Sequence, residues 1–199
     1  MTNVVLLIPA AGFSGRMRGT DKLMQPVAGE PLLRRQARIA LATGAQVIVT
    51  LPPIAGPRGD ALAGLAVTLL PIPDTAEGMA ASLRRGIAAL PATASGVLIL
   101  LADLPEIDTQ DLTAMIAAFE ADPTRILRAE TAAGQPGHPV LFPRATFADF
   151  AGLQGDAGAK AILTAHKDLL TPFTLAGEKA ITDLDTPEDW AAWRAKTEV

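Results

Sequence analysis

The sequence predicts an α/β fold: a Rossmann-like three-layer sandwich around a mostly parallel sheet. Short apolar runs without polar interruption recur along the chain, as strands buried on both faces of a parallel sheet require. Between them lie segments with apolar residues at helical spacing, and that alternation builds βαβ units with right-handed crossovers. The 199 residues suit one sizeable domain, read here as residues 1–199, and are too few for two comfortable ones.

Val4–Ile8 is the first run, β-branched at both ends, and Pro9-Ala-Ala-Gly12 closes it. Pro31–Ala42 is predicted to be a helix, with proline in the first turn and Gly44 beyond its end. Gln46–Leu51 and Ala66–Leu70 are the next predicted strands. Met79–Leu90 places Leu83, Ile87 and Leu90 on one helical face. Gly96–Leu101 is a fourth apolar run, and Asp108–Ala121 carries Leu112, Met115, Ile116 and Phe119 at helical spacing. From Ala129 to Phe142 the rhythm breaks. Gly134, Pro136, Gly137 and Pro139, with Pro143 after them, predict an active-site loop plus a short strand. Ala145–Leu153 and Ala157–Ala165 are predicted helices and Leu169–Leu175 a strand. A last helix opens with Thr186 as N-cap, Pro187 at the first position and acids in the first turn. Trp190 and Trp193 lie at helical spacing within it and are expected to pack, not to form a stacking platform.

Composition narrows the function. About half the residues, 49%, are hydrophobic, so a real core is available. The net charge of −4 and the absence of a basic run speak against nucleic acid and anionic membranes as partners. With no cysteine, disulfides, thiolate metal ligands and cysteine nucleophiles are excluded. The start of the chain lacks the basic and long apolar stretches of a signal peptide, and no segment reaches the ~18 apolar residues of a membrane span. A cytoplasmic location is the expectation.

Five stretches carry candidate chemistry. Pro9-Ala-Ala-Gly-Phe-Ser-Gly-Arg-Met-Arg-Gly-Thr-Asp-Lys22 follows the first strand, where open parallel sheets bind ligands. Ala10, Ala11, Gly12 and Ser14 can bring backbone N–H groups to a phosphate, while Arg16 and Lys22 supply cationic donors. The stretch matches neither GxGxxG nor GxxxxGK[ST], but together with the two cations it favours phosphate binding over a plain glycine-rich turn. Leu100-Leu-Ala-Asp-Leu-Pro105 ends an apolar strand in one carboxylate. Asp103 there is placed to hold Mg²⁺, a hard cation that prefers carboxylate and phosphate oxygens. In Asp183-Leu-Asp185 alternation turns both carboxylates to one side, so either or both of Asp183 and Asp185 can complete the metal site. Asp74 and Ser82, flanking Gly78, are candidates for the ribose or base, with ordinary loop and cap roles as the competing reading. His138, in Gly134-Gln-Pro-Gly-His-Pro139, and Asp156, in Gly155-Asp-Ala-Gly158, are candidates to bind an acceptor. His166 has no functional case.

The order of these motifs resembles that of the molybdopterin nucleotidyltransferases, within the wider family of sugar-phosphate nucleotidyltransferases. The glycine loop, the Gly78–Leu83 stretch, Asp103, Pro136-Gly-His-Pro139, Gly155–Gly158 and Asp183-Leu-Asp-Thr-Pro-Glu-Asp189 follow one another as they do there. The resemblance implies a nucleotide-diphospho-sugar transferase type of fold. It also implies transfer of a nucleotide from a nucleoside triphosphate to a phosphorylated acceptor, with Mg²⁺ bound and pyrophosphate released. It assigns Gly12, Arg16 and Lys22 to the triphosphate, and Asp103 with the Asp183/Asp185 segment to the metal. Ala10-Ala11-Gly12 is similar to the loop of the cytidylyltransferase members and points to CTP as donor, while the family resemblance as a whole implies molybdopterin as acceptor and a molybdoenzyme receiving the product. Two departures stand out: Arg18 lengthens the loop by one residue, and Ala102 replaces the glycine usual before the metal aspartate. GTP as donor, a sugar phosphate as acceptor, and a non-catalytic role in cofactor delivery are the alternatives. The missing GxGxxG and the absence of tyrosine put a dinucleotide oxidoreductase last.

Overall fold

Apolar side chains on both faces carry β1 (Val4–Pro9) to the middle of the structure, with Leu6, Leu7 and Ile8 fully buried. The computed structural model describes residues 3–155 and 158–197. A two-residue hairpin, β2 (Pro26–Val27) and β3 (Glu30–Pro31), precedes helix α1 (Leu32–Leu41). β4 (Gln46–Leu51) then pairs in parallel with β1. After a short helix, α2 (Gly56–Ala61), β5 (Thr68–Pro71) pairs in parallel with β4. Helix α3 (Met79–Ala88) brings the chain back, and β6 (Gly96–Ile99) pairs in parallel with the free side of β1. Helix α4 (Thr109–Ala121) leads to β7 (Ile126–Glu130) and β8 (Pro136–Pro143). The chain closes with α5 (Lys160–Ala165), β9 (Leu170–Thr174) and α6 (Pro187–Thr197).

The main sheet has seven strands in the order β5-β4-β1-β6-β8-β7-β9. β8 runs antiparallel to both β6 and β7, and β9 is parallel to β7. Alternate residues of each central strand feed opposite layers. Val4, Leu6, Ile8, Val47, Val49 and Leu98 pack under Leu33, Ala37 and Ala40 of α1 and Leu112, Met115 and Phe119 of α4. Val5, Leu7, Ile48, Val97 and Ile99 pack on the other face against Leu83 and Ile87 of α3, Phe150 and Ile162. This is the three-layer, mostly parallel α/β fold that the sequence predicts. No helix among the described residues is long and apolar enough to cross a membrane.

Three local features differ from expectation. Residues 129–142, expected as a loop plus a short strand, form most of β8, an eight-residue strand in the interior of the sheet. Its glycine and proline content has structural reasons. Gly137 lies so close to residues 180–181 that a Cβ there would sit 2.0 Å from the Ala180 carbonyl oxygen. Pro139, which has no N–H to donate, falls beside the register shift between Arg128 and Glu130 of β7, where a ladder bond is already lost. The helix expected over 145–153 is a 3₁₀ helix, Arg144–Gly152. α2 was not expected at all. Elsewhere the caps act as anticipated: the Thr186 hydroxyl accepts from the Asp189 amide at 3.1 Å, and Asp189 accepts from the Thr186 amide at 2.8 Å. Trp190 is buried with Met17, Val27, Leu32 and Leu184, and Trp193 meets it edge-on at 6.0 Å. The last helix is thereby docked onto the base of the glycine loop.

Candidate active site

β1 is the topological switch point: the chain leaves it towards β4 on one side and returns to β6 on the other. Crevices beyond the carboxyl ends of such strands are where open α/β sheets bind ligands. Here the crevice is a cleft of about 520 Å³, with Ala10, Gly12, Arg16, Lys22, Ser82, Ala102 and Asp103 among its walls.

The structure brings three of the motifs together at its floor. Lys22 begins a 3₁₀ turn capped by Asp21, whose carboxylate accepts from the Leu23 amide. The Lys22 Nζ lies 2.6 Å from Asp103 Oδ2 and 2.6 Å from Asp185 Oδ1. Arg16 Nη1 reaches Asp185 Oδ2 at 2.7 Å. Burial opposes the charge on Lys22, but Asp103 and Asp185 outweigh it and hold its pKa above the usual lysine value. The Leu184 amide donates to the Asp103 carbonyl at 3.1 Å, fastening the 183–185 segment to the residues that follow β6. Within that segment Asp185 joins the ion cluster. Asp183 stands aside, its pKa raised by burial and then by the charges of Asp103 and Asp185. The extra loop residue does not keep Lys22 from Asp103. Arg18 takes a left-handed conformation (φ 52°) followed by Gly19 (φ 94°), so the insertion is absorbed as a tight bulge, with Arg18 paired to Glu188 at the surface.

The nucleotide candidates divide. Ala10 and Ala11 are buried, and the Ala10 amide is fixed by the Thr50 carbonyl and hydroxyl at 3.0 and 3.2 Å. Ser82 is buried and lines the cleft. Ser14 works within the loop, donating to Asp21 at 3.0 Å and accepting from the Lys22 amide at 3.1 Å. Asp74 has its carboxylate paired with Arg85, and its neighbours Thr75 and Ala76 line the cleft. A loop acid after a strand looks the same in sequence whether it faces a ligand or a neighbouring helix.

A second compartment of about 470 Å³ adjoins the first, sharing Met79 and Leu101 as wall. It is lined mainly by apolar residues such as Leu83, Ile99, Val140, Phe142, Leu163 and Leu170, with Arg128, His138, Lys160 and Thr164 as its polar residues. Burial, and next the charge of Arg128, push the His138 pKa down to about 4, against the pull of Asp103. The imidazole is therefore neutral near neutral pH, and its Nδ1 is buried without a partner. Asp156 lies outside the described residues. His166 pairs with Asp149 at 2.7 Å and belongs to neither compartment.

Two residues went unread in the sequence. Arg128 sits in the alternating run Ile126-Leu-Arg-Ala-Glu130, a period-two signal too short to stand out. Arg58, in Gly56-Pro-Arg-Gly59, reads as a solvated loop residue, yet it is buried beneath the glycine loop.

The donor set also bears on a metal. Asp103 and Asp185 already hold a cation, the Lys22 ammonium, and Asp103 Oδ1 is buried without a partner. Both are hard oxygen donors of the kind Mg²⁺ or Mn²⁺ prefers. Among the described residues no group of three or more His, Cys, Asp or Glu is disposed to hold a metal. The protein thus offers one or two carboxylates, the number Mg²⁺ commonly takes from a protein when phosphates and water complete its shell.

Comparison with known proteins gives the family and the fold. The model of the MobA-like NTP transferase domain matches residues 6–169. The crystal structure of Rv0371c from Mycobacterium tuberculosis H37Rv is 29% identical, with a TM-score of 0.85 over 96% of each chain. The same protein in complex with manganese is 27% identical, with a TM-score of 0.79 over 96% of this chain and 97% of that one. The bifunctional protein GlmU of Mycolicibacterium gilvum is 25% identical over 147 residues, which span 68% of this chain but 29% of that relative's length.

Proposed function

The chain belongs to the family of MobA-like NTP transferase domains, nucleotidyltransferases by that membership, and we propose that within it this protein transfers CMP from CTP to molybdopterin with release of pyrophosphate. The observation that carries the reading is the cluster in which Lys22 lies 2.6 Å from both Asp103 and Asp185 at the cleft where the glycine loop ends. Such a cluster combines phosphate-binding cations with metal-binding carboxylates.

In this reading a terminal phosphate oxygen of the acceptor attacks the α-phosphorus of CTP in line. The new P–O bond forms as the bond to the bridging oxygen breaks, and its electron pair leaves on pyrophosphate. The attacking oxygen is already anionic near neutral pH, so no strong base is needed, and catalysis consists of positioning and charge neutralisation. Arg16 and Lys22 neutralise the departing pyrophosphate. Asp103 and Asp185 would hold Mg²⁺, which supplies further positive charge to the phosphate oxygens. Lys22, which shares those two carboxylates, would then be free to face the triphosphate. Ala10-Ala11-Gly12 supports CTP as donor, by its likeness to the cytidylyltransferase loop.

The second compartment supports the acceptor. Its mostly apolar walls suit the faces of a flat ring, whose polar edge would turn to Arg128, Lys160 and Thr164. Arg128 and Lys160 suit an anionic substituent, and the neutral His138 places an uncharged ring at the wall.

The test is pyrophosphate release from each of the four ribonucleoside triphosphates with Mg²⁺, with and without molybdopterin. Release only with CTP plus molybdopterin is expected. Release with a sugar phosphate instead would replace the acceptor, release with GTP the donor, and nucleotide binding without turnover on any acceptor would favour cofactor delivery.

A further inference from the structure

Arg58 is the third residue of the six-residue α2 and is 7% exposed. It lies far along the chain from the glycine loop, yet every bond recorded for its guanidinium ends in that loop. Nη1 donates to the carbonyls of Ala10 at 2.6 Å and Gly12 at 2.8 Å. Nε and Nη2 form a fork on the Asp21 carboxylate at 2.6 and 2.9 Å, and Nη2 also approaches the Ser14 hydroxyl at 3.4 Å. We infer that Arg58 is the positioning residue for nucleotide binding, a clamp that presets the 10–22 loop in the conformation that receives the triphosphate. The inference rests on the reading of that loop as a nucleoside triphosphate site.

The physical case has three parts. A guanidinium has five N–H groups in a fixed fork; four are engaged at 2.6–2.9 Å and the fifth faces Ser14 at 3.4 Å, so Arg58, although it borders the cleft, acts chiefly through the loop. The two carbonyls it captures are also significant. In a trans peptide the N–H points opposite the C=O, so turning the carbonyls of Ala10 and Gly12 onto Arg58 turns the amides of Ala11 and Phe13 away from it. The negative ends of these dipoles are thereby taken up by a buried cation, which leaves positive ends for an anion. Finally, a loop containing Gly12, Gly15 and Gly19 is expensive to order at the moment of binding, at about 1–2 kcal/mol per residue fixed. A clamp that reaches residues 10, 12, 14 and 21 orders it beforehand. Asp21 compensates the buried charge. Burial opposes ionisation of Asp21, but Arg58 and the loop donors hold its carboxyl below the usual range.

The test measures binding and turnover for Arg58→Lys, which keeps the charge but loses the fork, and for the milder Asp21→Asn, which keeps the arginine and weakens its anchor. Affinity for CTP is read by calorimetry, kcat and KM by pyrophosphate release, and loop order by hydrogen exchange of the amides over residues 11–17. For Arg58→Lys the expected result is a rise in Kd and KM of about ten- to a hundredfold, as one or two loop residues lose their preset order. A change in kcat within about threefold is expected, because Lys22 and Asp103 remain. Exchange over 11–17 should be faster in the free variant and return to the wild-type level with saturating CTP. Asp21→Asn should lie between the variant and the wild type, and serves if Arg58→Lys does not fold. Equal CTP affinity in wild type and both variants would overturn the inference alone, as would a fall in kcat at constant KM. Failure of the wild type to bind any nucleoside triphosphate would overturn the proposed function and the clamp with it.

Discussion

His138 makes the stability of this protein sensitive to mild acid in a way that one substitution removes. Its folded pKa is about 4, against an ordinary value of 6.5. Below 6.5 the unfolded chain therefore takes a proton that the folded chain refuses. The stabilisation is fully present above the unfolded pKa and is lost as pH falls through 6.5 towards 4. Integrating the two titrations, the loss between about pH 7 and about pH 5 is on the order of 2 kcal/mol, approaching about 3 kcal/mol at lower pH. Urea unfolding of the wild type and of His138→Gln at these two pH values isolates the effect, because carboxylates common to both proteins cancel in the comparison. The variant should lose less stability than the wild type by about that amount. The chain has two histidines, so an NMR titration of the ring protons resolves the matter residue by residue. One resonance should titrate near 4. Equal pH losses in both proteins, or a His138 resonance with a midpoint near 6.5, would refute the reasoning.

Three other predictions concern the cleft and its support. Asp103→Asn should reduce turnover by about a hundredfold or more with unfolding temperature essentially unchanged, checked by pyrophosphate release beside thermal melting. A folded variant with ordinary turnover would remove Asp103 from the site. Lys22→Met should bind Mn²⁺ severalfold more tightly than wild type in nucleotide-free calorimetry, because no ammonium then competes for Asp103 and Asp185, while its turnover falls. Weaker Mn²⁺ binding in that variant would mean the carboxylates are not the metal ligands. Gly137→Ala must push β8 away from the Ala180 carbonyl and should destabilise the fold by about 2–4 kcal/mol, measured by denaturant unfolding.

The sheet was legible where burial is two-sided. In β1 and β4 every side chain after the first residues meets a layer, so the apolar run is continuous and its ends are sharp. β8 was not legible, because it is irregular for local reasons: Gly137 is required by the approach of Ala180, and Pro139 is tolerated beside a register shift. Both residues signal a turn in sequence, and the reasons they do not make one lie elsewhere in the chain. In the site, Lys22, Asp103 and Asp185 are all legible in the sequence, although 81 and 163 positions separate the lysine from its two partners, because each is set in a recognisable local frame. Asp74 and Arg58 show what local sequence leaves open. One acid in a loop pairs with Arg85 on the neighbouring helix, and one arginine between glycines is buried against the glycine loop. Local sequence records the type of side chain, and only the packing around it decides whether its charge is spent on solvent, on a neighbour or on a ligand.

The direction of β8 has a consequence for how such a protein can change. Because β8 runs against its neighbours, it is its starting end, with His138, that faces the same rim as the finishing ends of β1 and β6. The glycine loop and Asp103 come from the first 103 residues, and most walls of the second compartment come from 128–170. The two compartments thus meet along one seam while being encoded almost in succession. Changes within the second stretch therefore reshape the second compartment while leaving the glycine loop and Asp103 as they are.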